Sequence, residues 1–295
     1  MTTMSPSTQS EHFVERLNLD RIDRDLFVGR CHAGSPLRAF GGQVAAQALI
    51  AAGRTVDETD RRVHSLHAYF IRPGRTQDPI VYSVQRVRDG RSFTTRHVTA
   101  VQYGETIFTM SASFAINEPT LHHQAPAPAV PRPEDVPRSD FLYDGDELRT
   151  PEKGYPTKAL LERRLVDPES VAQATGGTAT RVAWTRTLER LPDDPLIHVC
   201  SLTYFSDLTL IGAILEPHGG RAAHPELALS SLDHAMWFHG PFRADEWTMF
   251  VLDSPVASRG HGLARGEFYR EDGTLIASVV QEALLRERSP GGSTS

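Results

Sequence analysis

Apolar positions in two stretches of the chain keep helical spacing, and each stretch is followed by a series of strand-like runs. The helices are predicted over 43–56 and 197–215, and both are apolar on most sides. The strands are predicted over 63–71, 79–88, 92–102, 105–115, 227–238, 246–254, 262–270 and 274–286. Strands that follow one another without intervening helices favour an α+β fold, in which each antiparallel sheet wraps one helix.

Shorter patterns predict a helix over 11–19 and strands over 26–32, 160–167 and 181–188. Between the two helical units, 118–138 carries six prolines, which exclude a central strand or a helix interior. We therefore predict an N-terminal repeat over 11–118, a Pro-rich linker over 119–156, a C-terminal repeat over 157–288 and a flexible tail over 289–295.

The two halves also share short motifs, which supports a tandem duplication. His-Ala-Tyr-Phe at 67–70 corresponds to His-Ala-Met-Trp-Phe at 234–238, and the turn at 103–107 corresponds to that at 272–276. The order of elements, one helix and then four strands, is the same in both halves. A chain of two repeats would bring the two helices and two sheets together in one tandem unit.

Three polar side chains interrupt otherwise apolar patterns in the second half. Asp207 lies inside the predicted helix over 197–215, where a buried carboxylate needs hydrogen-bonding partners or a shifted protonation equilibrium. Alternation places Gln281 on an apolar strand face, and it places Ser231 on the face of Leu227, Leu229, Asp233, Ala235 and Trp237. A structural cap or ion pair and a catalytic role for Asp207 both remain open at this point.

Composition narrows the class of ligand and the compartment. The 295 residues carry a formal net charge of −6, which gives no reason to expect nucleic acid or an anionic membrane as a partner. Cys31 and Cys200 form no Cys-x-x-Cys pair, which favours a reducing, cytoplasmic compartment and disfavours a cysteine zinc site. We expect no secretory signal peptide, since 1–10 lacks its pattern, and no peroxisomal targeting, since the C-terminal residues are not of the Ser-Lys-Leu type. No apolar stretch approaches about 18 residues, so we also expect no membrane span.

Seven segments together resemble the acyl-CoA thioesterase II family of double hot-dog hydrolases, over about residues 12–288. They are Phe40-Gly41-Gly42-Gln43, His-Ser-Leu-His-Ala-Tyr-Phe-Ile-Arg-Pro-Gly at 64–74, Arg-Asp-Gly-Arg-Ser-Phe at 88–93, Ser206-Asp207-Leu208, Leu-Asp-His-Ala-Met-Trp-Phe-His at 232–239, Arg-Gly-Glu-Phe-Tyr at 265–269 and Val280-Gln281-Glu282. The resemblance implies hydrolysis of fatty acyl-CoA to a free fatty acid and CoA in a homo-oligomer. We expect no cofactor, because the sequence contains neither Gly-x-Gly-x-x-Gly nor Gly-x-x-x-x-Gly-Lys-Ser/Thr.

The family's catalytic set maps onto Asp207, Ser231 and Gln281, with Ser replacing the more usual Thr at 231. We expect Asp207 to accept a proton from a water that Ser231 and Gln281 also hold. Backbone N–H groups of Gly41 and Gly42 are candidate oxyanion donors, although these glycines are equally compatible with a packing role. The helix over 43–56 has no carboxylate, which predicts one active site per chain.

Four other interpretations are compatible with parts of the sequence. Ser231 as a covalent nucleophile lacks a Gly-x-Ser-x-Gly elbow, and a Ser231–Asp233–His234 triad would place residues on opposite faces of one strand. A metal site is disfavoured because His234 and His239 also fall on opposite faces and no His-Glu-x-x-His occurs. A non-catalytic acyl-CoA or acyl-carrier binding module with the same fold is the alternative from another functional class.

Overall fold

The computed structural model of the chain describes residues 12–31, 38–58, 60–118, 121–138, 142–144, 147–149, 161–178 and 181–287. The N-terminal segment 1–10, the tail 289–295 and the predicted boundaries at 11, 119, 156, 157 and 288 lie outside these residues. The domain boundaries therefore stay predictions.

The first half begins with a 3-10 turn at Phe13–Leu17, where a longer helix over 11–19 is predicted. The elements that follow are β1 (Leu19–Asp23), β2 (Leu26–Gly29), α1 (Gly41–Gly53), β3 (Arg61–Phe70), β4 (Ile80–Asp89), β5 (Phe93–Gln102) and β6 (Glu105–Ile116). Only β1 has no predicted counterpart. The other bounds differ from the predicted ones by a few residues, as expected where hydrophobic patterning fades at element ends.

The second half contains more elements than its pattern predicts. They are β7 (Leu142–Asp144), β8 (Glu147–Arg149), β9 (Leu161–Leu165), α2 (Pro168–Thr175), β10 (Arg181–Thr187), α3 (Pro195–Ser206), α4 (Leu210–Leu215), β11 (Leu227–Ser231), β12 (Asp233–Phe238), β13 (Thr248–Ser258), β14 (His261–Arg270) and β15 (Leu275–Glu287). The hairpin β7–β8 falls inside the predicted linker. Helix α2 was not predicted, although Asp167 caps its N-terminus by accepting the Ser170 N–H, and Gly176 ends it in the left-handed region.

Every strand pair among the described residues is antiparallel, and one continuous sheet runs through both halves. Its order is β1-β2-β4-β5-β6-β3-β12-β15-β14-β13-β10-β9, with β11 also pairing with β15. The two halves join where β3 pairs with β12, for example His67 opposite Ala235. This sheet encloses α1 and α3, which confirms the predicted α+β architecture of two helices wrapped by antiparallel strands.

Helices α1 and α3 lie antiparallel and in close contact at both ends. A Cβ placed on Gly42 near the start of α1 would lie 2.6 Å from the Tyr204 carbonyl oxygen near the end of α3. A Cβ on Gly53 at the end of α1 would lie 2.5 Å from Leu196 near the start of α3. The N-terminus of α1 therefore lies beside the C-terminus of α3.

Helix α1 is buried on all sides, as its uniformly apolar pattern predicts, and it also buries two glutamines that the sequence analysis did not single out. Gln43 and Gln47 are each 1% exposed. Both Nε2 groups donate to the carbonyl oxygens of Arg16 and Arg30, and the Tyr82 hydroxyl donates to Gln47 Oε1 over 2.8 Å. These bonds tie the 3-10 turn, the segment just after β2 and strand β4 to the helix, and they pair the buried amides.

The predicted single helix over 197–215 is wrong: it is two helices, α3 and α4, separated by a turn at 207–209. Near the end of α3, the hydroxyls of Ser201 and Thr203 donate back to carbonyl oxygens of the same helix, and the Ser206 hydroxyl lies 2.8 Å from the Thr203 carbonyl oxygen. Such back-bonding competes with the regular helical pattern and favours a bend or an end. The helix stops at Asp207, which is its C-cap residue.

The segment Pro195–His218, which spans this break, is long and apolar enough to cross a membrane. The expectation that no apolar stretch approaches about 18 residues is therefore wrong. In the structure 67% of its most apolar window is buried. A buried core helix passes the same composition test as a membrane span, and this segment packs as a core element between the sheet and α1.

The predicted strand over 227–238 is also interrupted, and the interruption changes which side chains face inward. Ser231 pairs with Ala283 of β15, whereas Ala235 pairs with Val280, so four residue steps on one strand oppose three on the other. The extra residue forms a β-bulge at Leu232, whose N–H donates to the Glu282 carbonyl oxygen. Beyond the bulge His234 and Met236 are buried, and Trp237 is not.

We expect Gly42→Ala to lower the free energy of unfolding by about 1–3 kcal/mol, because the added methyl must push α1 away from the α3 backbone. Gly240→Ala is the matched control, since a Cβ at that glycine meets no heavy atom within 4 Å. Urea unfolding of both variants measures the difference. Equal stabilities for the two variants would contradict the close helix contact.

Candidate active site

Asp207 lies at the C-terminus of α3, not in the interior of a helix. Its backbone is helical, with φ −78° and ψ −6°, and the next residues form the turn that leads into α4. The side chain is half-buried, so the expectation of a fully buried carboxylate is wrong. Because it ends the helix, this carboxylate faces the boundary between α3, α1 and the inner face of the sheet.

The structure brings together the three side chains that the sequence analysis selected. The Ser231 hydroxyl donates to Asp207 Oδ1 over 3.0 Å, and the Gln281 Nε2 donates to the same hydroxyl oxygen over 2.9 Å. Gln281 is fully buried on β15, as the alternation of that strand predicts. The predicted face of Ser231 is wrong beyond Leu232, because the bulge reverses the alternation there.

Two further residues, His234 and Ser206, extend this set into the core. The sequence analysis names them only in a family segment and in the disfavoured triad and metal alternatives, and it does not assign them to this site. His234 Nδ1 lies 2.6 Å from Gln281 Oε1, and His234 Nε2 lies 2.8 Å from the Ser206 hydroxyl. His234 and Ser206 are 1% and 0% exposed. The available signal for His234 was its spacing of two from Met236, which places both on one strand face. That this face is the inner one depends on the bulge at Leu232, which leaves no clear pattern in a single sequence.

Burial keeps the His234 ring neutral. Desolvation lowers its pKa from 6.5 to about 4, and the hydrogen bond to Gln281 opposes this change only in part. A neutral imidazole has one N–H donor and one acceptor nitrogen. His234 can therefore donate to only one of its two partners.

The N-terminus of α1 faces the Asp207 carboxylate. A Cβ placed on Gly41 would lie 2.7 Å from Asp207 Oδ2 and 2.8 Å from the Phe70 ring, so any other residue at 41 would crowd the carboxylate. Gly41 and Gly42 supply the first two backbone N–H groups of α1, which have no acceptor within the helix. Gly42 also packs against α3, so the packing role considered for these glycines applies to this residue.

The alternative groupings of polar residues do not form. Asp233 Oδ1 accepts the backbone N–H of Glu282, and His234 contacts Gln281 and Ser206, so Ser231, Asp233 and His234 do not make a triad. His239 contacts Ser278 outside the core. Within the described residues, no group of three or more His, Cys, Asp or Glu side chains is placed to hold a metal ion.

The corresponding positions of the first half lack the same chemistry. The C-cap residue of α1 is Arg54, whose guanidinium donates to the Leu19 carbonyl oxygen. The shared turn motifs pair position 103 with position 272, and the same spacing pairs Ala112 with Gln281. Ala112 is buried and has no polar side chain. The polar set around Asp207 therefore has no counterpart at these two positions.

Comparison with known proteins identifies the family. A family model described as acyl-CoA thioesterase matches residues 156–284, and one described as acyl-CoA thioesterase N-terminal domain matches residues 31–115. The human protein named acyl-coenzyme A thioesterase 8 is 39% identical over 282 residues, which are 92% of this chain and 87% of that protein. The chain belongs to the acyl-CoA thioesterase family.

A bacterial relative and a solved structure agree with this family and with its fold. Acyl-CoA thioesterase 2 of Haemophilus influenzae is 35% identical, covering 93% of this chain and 97% of that protein. The crystal structure of acyl-CoA thioesterase II TesB2 from Mycobacterium marinum is 40% identical, covers 93% of this chain and 98% of its own, and superposes with a TM-score of 0.80. The resemblance to thioesterase II and the double hot-dog fold are both confirmed.

The buried His234 of this thioesterase family member should make its stability depend on pH. Because folding lowers the pKa of His234 from 6.5 to about 4, the unfolded chain binds a proton in this window that the folded protein does not. Between pH 7 and pH 4 we expect the free energy of unfolding to fall by about 3 kcal/mol more in the wild type than in His234→Asn. Urea unfolding at both pH values measures this, and parallel losses in the two proteins would disprove it.

Proposed function

We propose that the protein hydrolyses fatty acyl-CoA to a free fatty acid and CoA, by attack of a water on the thioester carbonyl. One observation carries this proposal: a carboxylate, a hydroxyl and an amide form a continuous hydrogen-bonded set at the N-terminus of α1. A general base and a group of N–H donors are the two components that this reaction needs. The family to which the chain belongs consists of thioester hydrolases.

Asp207 is the general base in this mechanism. Its Oδ1 accepts the Ser231 hydroxyl, which holds the carboxylate in place, and its Oδ2 lies toward Gly41. Ser231 and the second N–H of the Gln281 amide position the water beside this carboxylate. The Gly41 and Gly42 N–H groups at the start of α1 are the proposed donors to the oxyanion, and the helix dipole favours negative charge there.

Bonds and protons balance with these groups alone. The water oxygen bonds to the carbonyl carbon while one water proton passes to Asp207, which leaves a tetrahedral oxyanion. The carbonyl then re-forms, the C–S bond breaks, and the CoA sulfur takes the proton from Asp207. The carboxylate is regenerated, so each turnover consumes one water.

We assign one such site to each chain. The positions in the first half that correspond to Asp207 and Gln281 carry Arg54 and Ala112, which supply neither a base nor an amide. Active-site titration with a tight-binding inhibitor should therefore reach one equivalent per chain.

We expect Asp207→Asn to keep the fold and to lower kcat by about 10²–10⁴-fold, because the amide cannot accept the water proton. Release of CoA thiol from acyl-CoA, followed with a thiol reagent, measures the rate, and thermal unfolding checks the fold. Near-wild-type kcat in a folded Asp207→Asn enzyme would remove this residue from the mechanism.

Ser231→Ala should lower kcat by about 10–100-fold, because the carboxylate loses a donor and the water loses a contact. Ser230→Ala is the matched control, since Ser230 is exposed and its hydroxyl makes a long hydrogen bond of 3.4 Å to the carbonyl oxygen of Ser231. Rapid-mixing kinetics of the wild type should show no acyl-enzyme burst. A burst that disappears in Ser231→Ala would establish Ser231 as a covalent nucleophile instead.

The same thiol assay distinguishes an enzymatic function from that of a non-catalytic acyl-CoA or acyl-carrier binding module. We expect turnover with at least part of a series of acyl chains from short to long. Saturable binding without thiol release across the whole series would favour the binding module. The chain length with the highest kcat/KM defines the substrate range.

We further propose a homo-oligomer and a cytoplasmic location. Tyr69 and Trp237 lie on the paired strands β3 and β12 and are 60% and 36% exposed, which supports contact of this outer face with a second copy. Light scattering of the purified protein tests the oligomer. Cys31 and Cys200 are not joined in a disulfide, which is consistent with a reducing compartment, and fractionation of the source cells tests that location.

A further inference from the structure

We propose that His234 is a positioning residue, which sets the orientation of the Gln281 amide and thereby directs the Ser231 hydroxyl hydrogen to Asp207. This inference rests on the proposed hydrolytic function of Asp207. His234 is buried, and its hydrogen bonds are to Gln281 and Ser206 and not to Asp207. Its action would pass through Gln281 and Ser231.

The donor and the acceptor of each hydrogen bond can be assigned in turn, starting from the Asp207 carboxylate. An ionised carboxylate only accepts hydrogen bonds, so the Ser231 hydroxyl must donate its single hydrogen to Asp207 Oδ1. The Ser231 oxygen must then accept from its other partner. Only the nitrogen end of the Gln281 amide can donate, which is the end that lies 2.9 Å from Ser231 Oγ.

The amide oxygen of Gln281 consequently faces His234, at 2.6 Å from Nδ1. Two acceptors at this distance would repel each other, so Nδ1 must carry the hydrogen of the neutral ring. Nε2 is then the acceptor, so the single hydrogen of the Ser206 hydroxyl points to Nε2 at 2.8 Å and not to the Thr203 carbonyl oxygen, which lies at the same distance. One tautomer of His234 is therefore compatible with donation from Ser231 to Asp207.

The other tautomer would disrupt the site. With the hydrogen on Nε2, the Nδ1 lone pair would face the Gln281 oxygen, and the amide would turn over to avoid repulsion. Its oxygen would then lie against Ser231 and accept the hydroxyl hydrogen that Asp207 needs. Asp207 would lose the Ser231 donor, and with it part of its fixed orientation, without any change to the three residues at the site.

Burial makes the orientation of the Gln281 amide depend on the His234 tautomer. Gln281 and Ser206 are 0% exposed and His234 is 1% exposed, so bulk water does not compete for their hydrogen bonds. An unpaired polar group in such a place is costly, so the Gln281 oxygen must face a donor. The amide therefore follows the histidine tautomer.

The first test reads the tautomer directly in the wild-type protein. Nitrogen-15 NMR of labelled histidine distinguishes a protonated ring nitrogen from an unprotonated one by chemical shift, and His234→Asn assigns the signal. At pH 7 we expect His234 to have Nδ1 protonated and Nε2 unprotonated. The reverse pattern, or a protonated ring, would overturn the proposal.

The second test separates positioning from simple packing. We expect His234→Leu to lower kcat by about 10–100-fold with KM within about twofold, since the amide loses its fixed orientation. His234→Asn can place an N–H near the Nδ1 position, and we expect its kcat to stay within about threefold of wild type. His198→Leu replaces another buried histidine, which contacts the Ala244 N–H, and serves as the control for altered core packing.

Wild-type kcat in His234→Leu, or equal losses in folded His234→Leu and His234→Asn, would overturn the positioning role. A kcat loss in His198→Leu as large as in His234→Leu would also overturn it, because packing alone would explain both. If the wild type releases no thiol from any acyl-CoA, the proposed function fails, while the NMR result still decides the hydrogen-bond order on which this inference stands.

Discussion

The close antiparallel contact between α1 and α3 is the constraint on which the rest of the structure depends. It brings the N-terminus of one helix beside the C-terminus of the other, so that the backbone at Gly41 meets the Asp207 carboxylate. The helices can approach this closely because Gly42 presents no side chain to the α3 backbone. One continuous sheet then encloses both helices and excludes water from the hydrogen bonds that join Ser206, His234 and Gln281.

Two irregularities turn this packing into a site. The end of α3 at Ser206 releases Asp207 from a regular helix and lets its side chain reach the sheet. The bulge at Leu232 rotates β12 relative to β11, which aims His234 inward while Ser231 keeps its contact with the carboxylate. A regular helix beside a regular strand would separate these groups, because alternation would place His234 and Ser231 on opposite faces. Bulges beside active sites commonly redirect a side chain in this way.

Most of the fold follows from local patterning. The helices and strands of the first half are close to their predicted bounds because alternation and helical spacing report directly on burial. The errors occur where local pattern and tertiary context disagree. Leu210–Leu215 continues the apolar run of α3, so hydropathy alone predicts one helix, although hydroxyl back-bonding and the C-cap geometry of Asp207 end α3 earlier. The roles of the buried Gln43 and Gln47 were missed because their partners are backbone carbonyls outside the helix, at Arg16 in the 3-10 turn and at Arg30 just after β2.

The sequence by itself determined the fold class, the duplication and the three polar residues at the site, because each is a local departure from an otherwise apolar pattern or part of a recognisable motif. Only the tertiary structure decided that Asp207 ends a helix, that Gly41 faces its carboxylate, and that His234 and Ser206 extend the hydrogen-bonded set. The physical reason is that hydrogen-bond direction and bulge position depend on which groups meet across strands and helices. Such contacts join residues that are far apart in the chain, and no local periodicity indicates them.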